Sequence, residues 1–457
     1  RDVTRIKQAI IDENNSLITL ETKIISEKSL VIKTIEEFNQ LRNSEIYNIF
    51  YHRHKALWKS SFSSKDEYDA KKDTLDSMPN KFLNIAEYVK ENNKQVYSYL
   101  FQLGLIITLL LFFRRAFLKV KFTEKDTNLQ RAKEIVVNHT ISAVVFIGAI
   151  LALLYLNNIP FLLGDILVII ALVSSVPMLR PLINHRFKNI LYFIILFYII
   201  NSVKTYLWFP SVYYRLYLLI ESFMMLFVVY YFTKPYLETR KLKLSPFSTM
   251  IIRLTPVFVF VIITAIASNL FGYTNLTDLS LKLITTSSAL TVLFYGILMV
   301  ASGLIIGAIH LIFINQTSYD EERKFLVEKR ALTALRIIIF VWWAYYFLGI
   351  LDIRDDISMW ISDLLIKSYD FGSVSFTLEE IVTFAFLLIV SFLISNFISM
   401  IIDGGALTFL KLPKGIPAAI ALVVRYFIIS FGFVLALSAL GVDLSSFNLM
   451  AGALGLG

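Results

Sequence analysis

From Tyr97 onward the chain alternates long apolar runs with short polar segments. Most of these runs hold about 20 predominantly apolar residues, the number that an α-helix needs to cross the hydrocarbon core of a bilayer. Within lipid the backbone must satisfy its own hydrogen bonds, so such runs indicate helices. The pattern predicts an all-α membrane protein with about eleven transmembrane helices, at residues 97–113, 136–156, 159–179, 189–208, 211–232, 250–271, 284–314, 331–351, 379–402, 418–440 and from 444 onward.

Residues 1–96 follow a different pattern. They are polar overall, and apolar residues recur at every seventh position, at Val3, Ile10, Leu17, Ile24, Val31 and Phe38. A seven-residue repeat predicts helices that share an apolar seam. The second core position of the repeat, three residues after each of these, is apolar in some repeats and polar or charged in others. A long antiparallel helical hairpin and a coiled coil therefore both fit. We therefore expect an N-terminal helical region outside the membrane.

Composition supports the membrane assignment. Of 457 residues, 56% are hydrophobic, and the mean hydropathy is +0.65, which is too apolar for a water-soluble globular protein. The formal net charge of +9 would suggest nucleic acid as a partner of a soluble protein. Here the basic residues lie in short connections between predicted spans, so nucleic-acid binding is not expected.

The distribution of these basic residues predicts the orientation. Alternate connections hold twenty Lys and Arg residues, and the connections on the opposite side hold only four. Because basic loops stay in the cytoplasm, residues 1–96 should be periplasmic. The basic connections, predicted to be cytoplasmic, are residues 114–135, 180–189, 233–249, 315–335 and 403–417.

The chain thus divides into four predicted parts. Residues 1–96 form the periplasmic helical region, and residues 97–351 form a region of eight transmembrane helices. Residues 352–378 form a periplasmic connection, and residues 379–457 hold three spans, of which the last is cut short at Gly457. We expect a further cytoplasmic domain to follow Gly457.

Signatures of catalysis are missing. The chain has no cysteine, no phosphate-binding loop, no H-E-x-x-H and no G-x-S-x-G, and its five histidines are scattered. Therefore we expect no enzyme activity, no metal site and no cofactor.

Three ionisable residues lie deep within predicted spans, namely Asp165, Arg215 and Glu221. Such residues are costly in a membrane unless they are satisfied, and they often serve ion or proton transport. A secondary transporter is therefore one alternative function, although a structural Arg–Glu pair between neighbouring helices explains Arg215 and Glu221 as well. A sensor that uses the N-terminal helical region is another alternative.

The C-terminal end carries the most specific pattern. Residues 451–457 read Ala-Gly-Ala-Leu-Gly-Leu-Gly, and small residues let helices approach closely. They follow Leu422-Val-Val-Arg425-Tyr426 and Ala439-Leu-Gly441-Val442-Asp443. In these features the chain, from about Phe376 to Gly457, resembles the MscS family of mechanosensitive channels. The many preceding spans resemble the long, MscK-like members of that family.

The resemblance implies a homoheptamer in which the last helices surround a central pore. Gly452 and Gly455 match the family's glycine positions, Ala453 matches an alanine position, and Leu456 matches the first of two pore-narrowing leucines. Leu449 and Gly457 stand where the family has alanine, which is a departure in the packing of the pore helix.

The positions of residues along the predicted helices add two site predictions. Leu449 and Leu456 are seven residues apart and therefore share a helix face, so both should line the pore constriction. Arg425 lies near the predicted cytoplasmic end of its helix, where its side chain either snorkels to the headgroups or fixes lipids or a neighbouring helix. The expected function is a tension-gated channel of a bacterial inner membrane that releases ions and small osmolytes under hypo-osmotic stress.

Overall fold

The structure is a computed structural model, and it describes most of the chain after residue 83. The described residues are 23, 27–28, 56–59, 84–119, 130, 132–183, 187–206, 211–239, 246–312, 321–371, 374–402, 413 and 415–441. Within them the protein is almost entirely α-helical, which confirms the all-α class. The predicted seam of residues 1–96 lies mostly outside the described residues, although residues 84–91 are helical.

From Asn93 onward, eleven α-helices lie in the described part of the chain. They are α1 Asn93–Lys119, α2 Thr140–Tyr155, α3 Phe161–Leu179, α4 Ile190–Tyr206, α5 Ser211–Thr239, α6 Pro246–Phe271, α7 Thr274–Ile312, α8 Glu321–Ile350, α9 Arg354–Ile366, α10 Leu378–Ile401 and α11 Ile416–Ala439. A π-helix, Glu134–Asn138, precedes α2, and short 3₁₀ turns occupy Leu57–Lys59 and Arg180–Leu182. Strands β1 (Ser368–Phe371) and β2 (Val374–Thr377) pair as an antiparallel hairpin.

The first ten predicted spans each coincide with one of these helices. Eight helices are long and apolar enough to cross a membrane, namely α1, α3, α5, α6, α7, α8, α10 and α11. Helices α2 and α4 are apolar but shorter. The protein is therefore a membrane protein with several spanning helices, and the predicted eleventh span, from residue 444, lies outside the described residues.

One predicted connection is mostly helix. Residues 272–283 were expected to form a loop, but α7 already begins at Thr274, directly after a turn in which Gly272 has φ +98°. Two polar side chains in this segment bond to carbonyls one turn earlier: Thr277 Oγ1 to Tyr273 O at 3.2 Å and Ser280 Oγ to Leu276 O at 2.7 Å. Their polarity lowers the hydropathy of the segment without breaking the helix.

The chain folds as two compact units. The first contains residues 207–242 and 250–284, which include α5, most of α6 and the first turns of α7. The second contains residues 75–206 and 285–457, which include the remaining long helices. Each unit holds a set of buried polar or small residues that joins its helices.

In the second unit, aromatic rings of two other helices pack against glycines on one face of α7. A Cβ atom on Gly296 would lie 2.6 Å from Cζ of Phe146, and one on Gly307 would overlap the ring of Phe117. Both rings are almost completely buried. Because eleven residues amount to about three turns, the two glycines lie on the same side of α7 and together form its contact face for α1 and α2.

Candidate functional site

Helices α10 and α11 form an antiparallel pair and correspond to the first two of the three spans predicted in residues 379–457. The start of α10 is fixed by a capping box, in which Glu380 N donates to Thr377 Oγ1 and Thr377 N donates to Glu380 Oε2 at 2.9 Å. The start of α11 follows Gly415, which has φ +97° and is suited to a sharp turn. The two helices therefore have well-defined ends.

Small residues form the interface between these helices. Within the described part of the pair, every fully buried residue is small, namely Ser395, Ala421, Gly432 and Ala436. The hydroxyl of Ser395 donates to the carbonyl oxygen of Arg425 at 2.9 Å, and Ser399 donates to that of Ala421 at 3.2 Å. Side-chain to backbone bonds of this kind hold helices together in lipid.

The closest approach is at Gly432. A Cβ atom added there would overlap the Oγ and Cβ atoms of Ser391 on the facing helix. The Ser391 hydroxyl bonds within its own helix, to Leu387 O at 2.7 Å. The missing side chain of Gly432 is therefore what permits this crossing.

The interface between α10 and α11 was not predicted, because small residues were expected to form a close helix contact only in the last span. A signal was nevertheless present, since Ser391, Ser395 and Ser399 recur at every fourth residue on one face of α10. Their partners on α11 are spaced less regularly, so the pairing itself was not readable from the sequence.

Arg425 has an exposed side chain on α11, next to the exposed Leu422 and Tyr426. Because α11 begins at Ile416, Arg425 lies nine residues from its start, or about 14 Å at 1.5 Å per residue. The span predicted from residue 418 put Arg425 only about 10 Å from the helix end, so the helix places it deeper. The exposed position is compatible with contact to lipid or to a neighbouring subunit, and that role stays a prediction.

The remaining predicted site residues lie outside the described residues. They are the constriction leucines Leu449 and Leu456 and the pore-packing residues Gly452, Ala453, Gly455 and Gly457. Their roles stay predictions that follow from the resemblance.

Asp165 joins two helices of the second unit. It lies near the start of α3, and two tyrosines of α4 donate to it: Tyr198 to Oδ1 at 3.1 Å and Tyr206 to Oδ2 at 2.9 Å. Both oxygens of the carboxylate thus accept a bond from a neighbouring helix. Asp165 therefore has a structural role, since it joins α3 to α4.

Arg215 joins helices of the first unit. It is only 1% exposed, and its Nη2 atom donates to the carbonyl oxygen of Asn269 at 2.7 Å. In return, Nδ2 of Asn269 donates to the carbonyl oxygen of Arg215 at 2.9 Å. The neighbouring Tyr214 donates to Oδ1 of Asp278 at 3.0 Å, which connects α5 to α7 as well.

Glu221 is also buried, at 3% exposure, on the same helix as Arg215. The expected Arg–Glu pair between two neighbouring helices is therefore wrong, because both residues lie on α5. Six residues rotate a helix by about 600°, so their side chains leave α5 in directions roughly 120° apart. One interhelical partner of the Arg215 guanidinium is the carbonyl oxygen of Asn269.

The described residues hold no group of three or more His, Asp or Glu side chains that could bind a metal ion. Comparison with known proteins adds no assignment, since no protein family matches the chain and no curated protein resembles it significantly.

Proposed function

We propose that the protein is a mechanosensitive ion channel of a bacterial inner membrane, opened by membrane tension and releasing ions and small osmolytes on hypo-osmotic shock. In this proposal it is a homo-oligomer, a heptamer by resemblance, with eleven spans in each subunit. The N-terminal region is periplasmic and the C-terminus cytoplasmic. The observation that carries the proposal is the resemblance of residues 376–457 to the MscS family.

The packing of α10 and α11 supports this proposal. Bonds from Ser395 and Ser399 and the close crossing at Gly432 make the two helices suited to move as one body. In an 18-residue stretch of each span only 6% and 17% of the residues are buried, so most of the surface of these helices is available to lipid and to other subunits. A rigid pair with a large lipid contact area is suited to transmit tension to the helix that follows it.

Gating then follows from physical principles. Tension favours whichever state occupies more area in the plane of the bilayer, so an expanded open state becomes more populated. In the closed state, rings of Leu449 and Leu456 form an apolar collar. Such a constriction loses water before it is sterically shut, and ions are blocked because they cannot shed their hydration.

The decisive experiment replaces Leu456 in the complete protein and records single channels from membrane patches under suction. Leu456→Asn should wet the collar, so the channel should open at lower tension or leak at rest. Leu456→Val is the matched control, because it stays apolar and should keep a threshold near that of the unmodified protein.

Two results would contradict the proposal. The absence of discrete tension-dependent current steps in the unmodified protein would exclude the channel itself. An Asn variant that assembles normally and keeps the original threshold and resting current would exclude Leu456 from the gate.

A secondary transporter that uses Asp165, Arg215 and Glu221 is the second candidate, and the burial of Arg215 and Glu221 favours it. Against it, Asp165 and Arg215 both bond to neighbouring helices, which already accounts for their presence. A carrier would give saturable flux without current steps, so the same recordings separate the two functions. A sensor that binds a ligand through residues 1–96 stays a further alternative.

A further inference from the structure

Helix α9 lies between two spans and is amphipathic. Its apolar residues Ile357, Trp360, Ile361, Leu364 and Leu365 follow the i, i+3, i+4, i+7, i+8 spacing of a single helix face. The other side carries the polar residues Asp355, Asp356, Ser358, Ser362 and Asp363, together with the apolar Met359 and Ile366. This periodicity is that of a helix with one face in an apolar environment.

The fold leaves this apolar face uncovered. Trp360 is 64% exposed, Ile361 44% and Leu364 40%, and no residue of α9 is buried. A water-soluble protein rarely exposes so many large apolar side chains on one face. Another apolar surface must therefore cover this face of α9.

The chain on either side holds α9 close to the membrane. The span of α8 ends at Ile350, and only residues 351–353 separate it from Arg354, a reach of about 10 Å at most. The turn between them is tight, since Asp352 has φ 58°. After the β-hairpin, the next span begins directly at Leu378.

A cation–π contact keeps α9 against the end of α8. The guanidinium of Arg354 lies 5.3 Å from the centre of the Tyr345 ring and bonds to Oδ1 of Asp355 at 3.0 Å. The hydrogen bond and the charge of Asp355 raise the pKa of Arg354, which is therefore charged at any physiological pH. The start of α9 is thus anchored where a span ends.

We propose that α9 lies flat in the membrane surface, with the face formed by Trp360, Ile361 and Leu364 inserted at the boundary between headgroups and acyl chains. The occupant of this face is the lipid bilayer, because the helix follows the span of α8 after three residues and the β-hairpin after it leads directly into the span of α10. Tryptophan is enriched at this depth of the membrane. Three aspartates against one arginine make the helix acidic, so burial of apolar surface rather than attraction to anionic headgroups holds it there.

The absence of cysteine from the chain makes the test direct. Single cysteines replace Ile361 and Leu364 on the apolar face, and Ser358 and Ser362 on the polar face as matched controls. Each variant of the whole chain is labelled with a nitroxide and reconstituted in phosphatidylcholine vesicles. Electron spin resonance then measures collisions with oxygen, which concentrates in lipid, and with a nickel chelate, which stays in water.

We expect the ratio of oxygen to nickel accessibility to be several-fold higher at positions 361 and 364 than at 358 and 362. Addition of phosphatidylglycerol or salt should leave this difference unchanged. Equal nickel accessibility on both faces would overturn the proposal, because the helix would then stand in water. Shielding of the apolar-face labels from both reagents would overturn it too, since protein would then cover the face.

Native fluorescence gives a second measurement that does not require labels in the apolar face. Brominated lipids should quench the tryptophan emission of the unmodified protein more than that of the Trp360→Phe variant. Equal quenching of the two proteins would contradict the insertion of Trp360. None of these outcomes depends on whether the protein is a channel.

Discussion

At the scale of single residues, Gly432 sets the distance between α10 and α11. The Gly432→Ala substitution places a methyl group on the side chain of Ser391, and the helices must separate. Overpacking of this kind costs about 1–3 kcal/mol, more than the roughly 1 kcal/mol that alanine adds to helix propensity. We expect a lower free energy of unfolding for Gly432→Ala, measured by reversible denaturation in mixed micelles.

Gly104 offers a matched control, since it lies within α1 with no atom near a Cβ atom added there. Gly104→Ala should leave stability unchanged or raise it slightly. The double variant with Ser391→Gly should recover most of the stability lost by Gly432→Ala. A Gly432→Ala protein as stable as the Gly104→Ala protein would show that the crossing is looser than described.

The side chain and the carbonyl oxygen of Asn269 both bond to Arg215 and join α6 to α5. Asn269→Leu keeps the branched shape and the number of heavy atoms but removes the donor to the carbonyl oxygen of Arg215. Interhelical hydrogen bonds in membranes contribute about 1 kcal/mol, so the same denaturation should detect a loss near that size. Thr264→Val on the same helix is the control, because the Thr264 hydroxyl bonds only to Phe260 O one turn earlier. A loss as large in Thr264→Val would contradict an interhelical role for Asn269.

At the scale of elements, the apolar runs predicted the position of ten helices but not their ends. Hydropathy reports only the lipid-facing part of a helix, while the hydrogen-bonded helix continues through charged residues. Thus α8 was expected from residue 331 and begins at Glu321, with four Lys and Arg residues in its first ten. Similarly, α7 begins ten residues before the predicted run.

The sequence pattern could not predict contacts between residues that are distant along the chain. Nothing local indicates that Gly432 faces Ser391 or that Asn269 bonds to Arg215, because each pair depends on how two helices cross. Helix α9 differs, since its spacing of apolar residues was visible in the sequence. It falls within residues 352–378, which were predicted to be a connection, and its thirteen residues are too few for a span.

The glycine face of α7 gives a prediction at this scale. Gly307→Ala would displace the buried ring of Phe117 and loosen α1 from α7, at a cost of about 1–3 kcal/mol. Phe117→Ala alone leaves a cavity and should cost about 3–5 kcal/mol. In the double variant the new methyl group no longer meets a ring, so the combined loss should be smaller than the sum. Additive losses in a double-mutant cycle would mean that the two residues do not interact.

At the scale of the whole molecule, orientation is decided by loops at the two ends of each span. Helix α3 has 19 residues and is about 28 Å long, close to the thickness of a hydrocarbon core. The turn before it contains Asn157, and the connection after it ends at Asn189, both with exposed side chains. The predicted charge asymmetry places Asn157 in the periplasm and Asn189 in the cytoplasm, because the segment at residues 180–189 is basic and the turn is not.

These two asparagines make a matched pair for testing the orientation, since the chain has no other thiol to react. In intact cells with a permeabilised outer membrane, an impermeant maleimide should label Asn157→Cys and leave Asn189→Cys unlabelled. After lysis both should react, which shows that each site is reachable. The reverse labelling would invert the topology and place residues 1–96 in the cytoplasm, where they could not serve as a periplasmic sensor. Labelling of both sites in intact cells would mean that α3 does not cross the membrane, and the alternation of sides on which the predicted topology depends would fail at that helix.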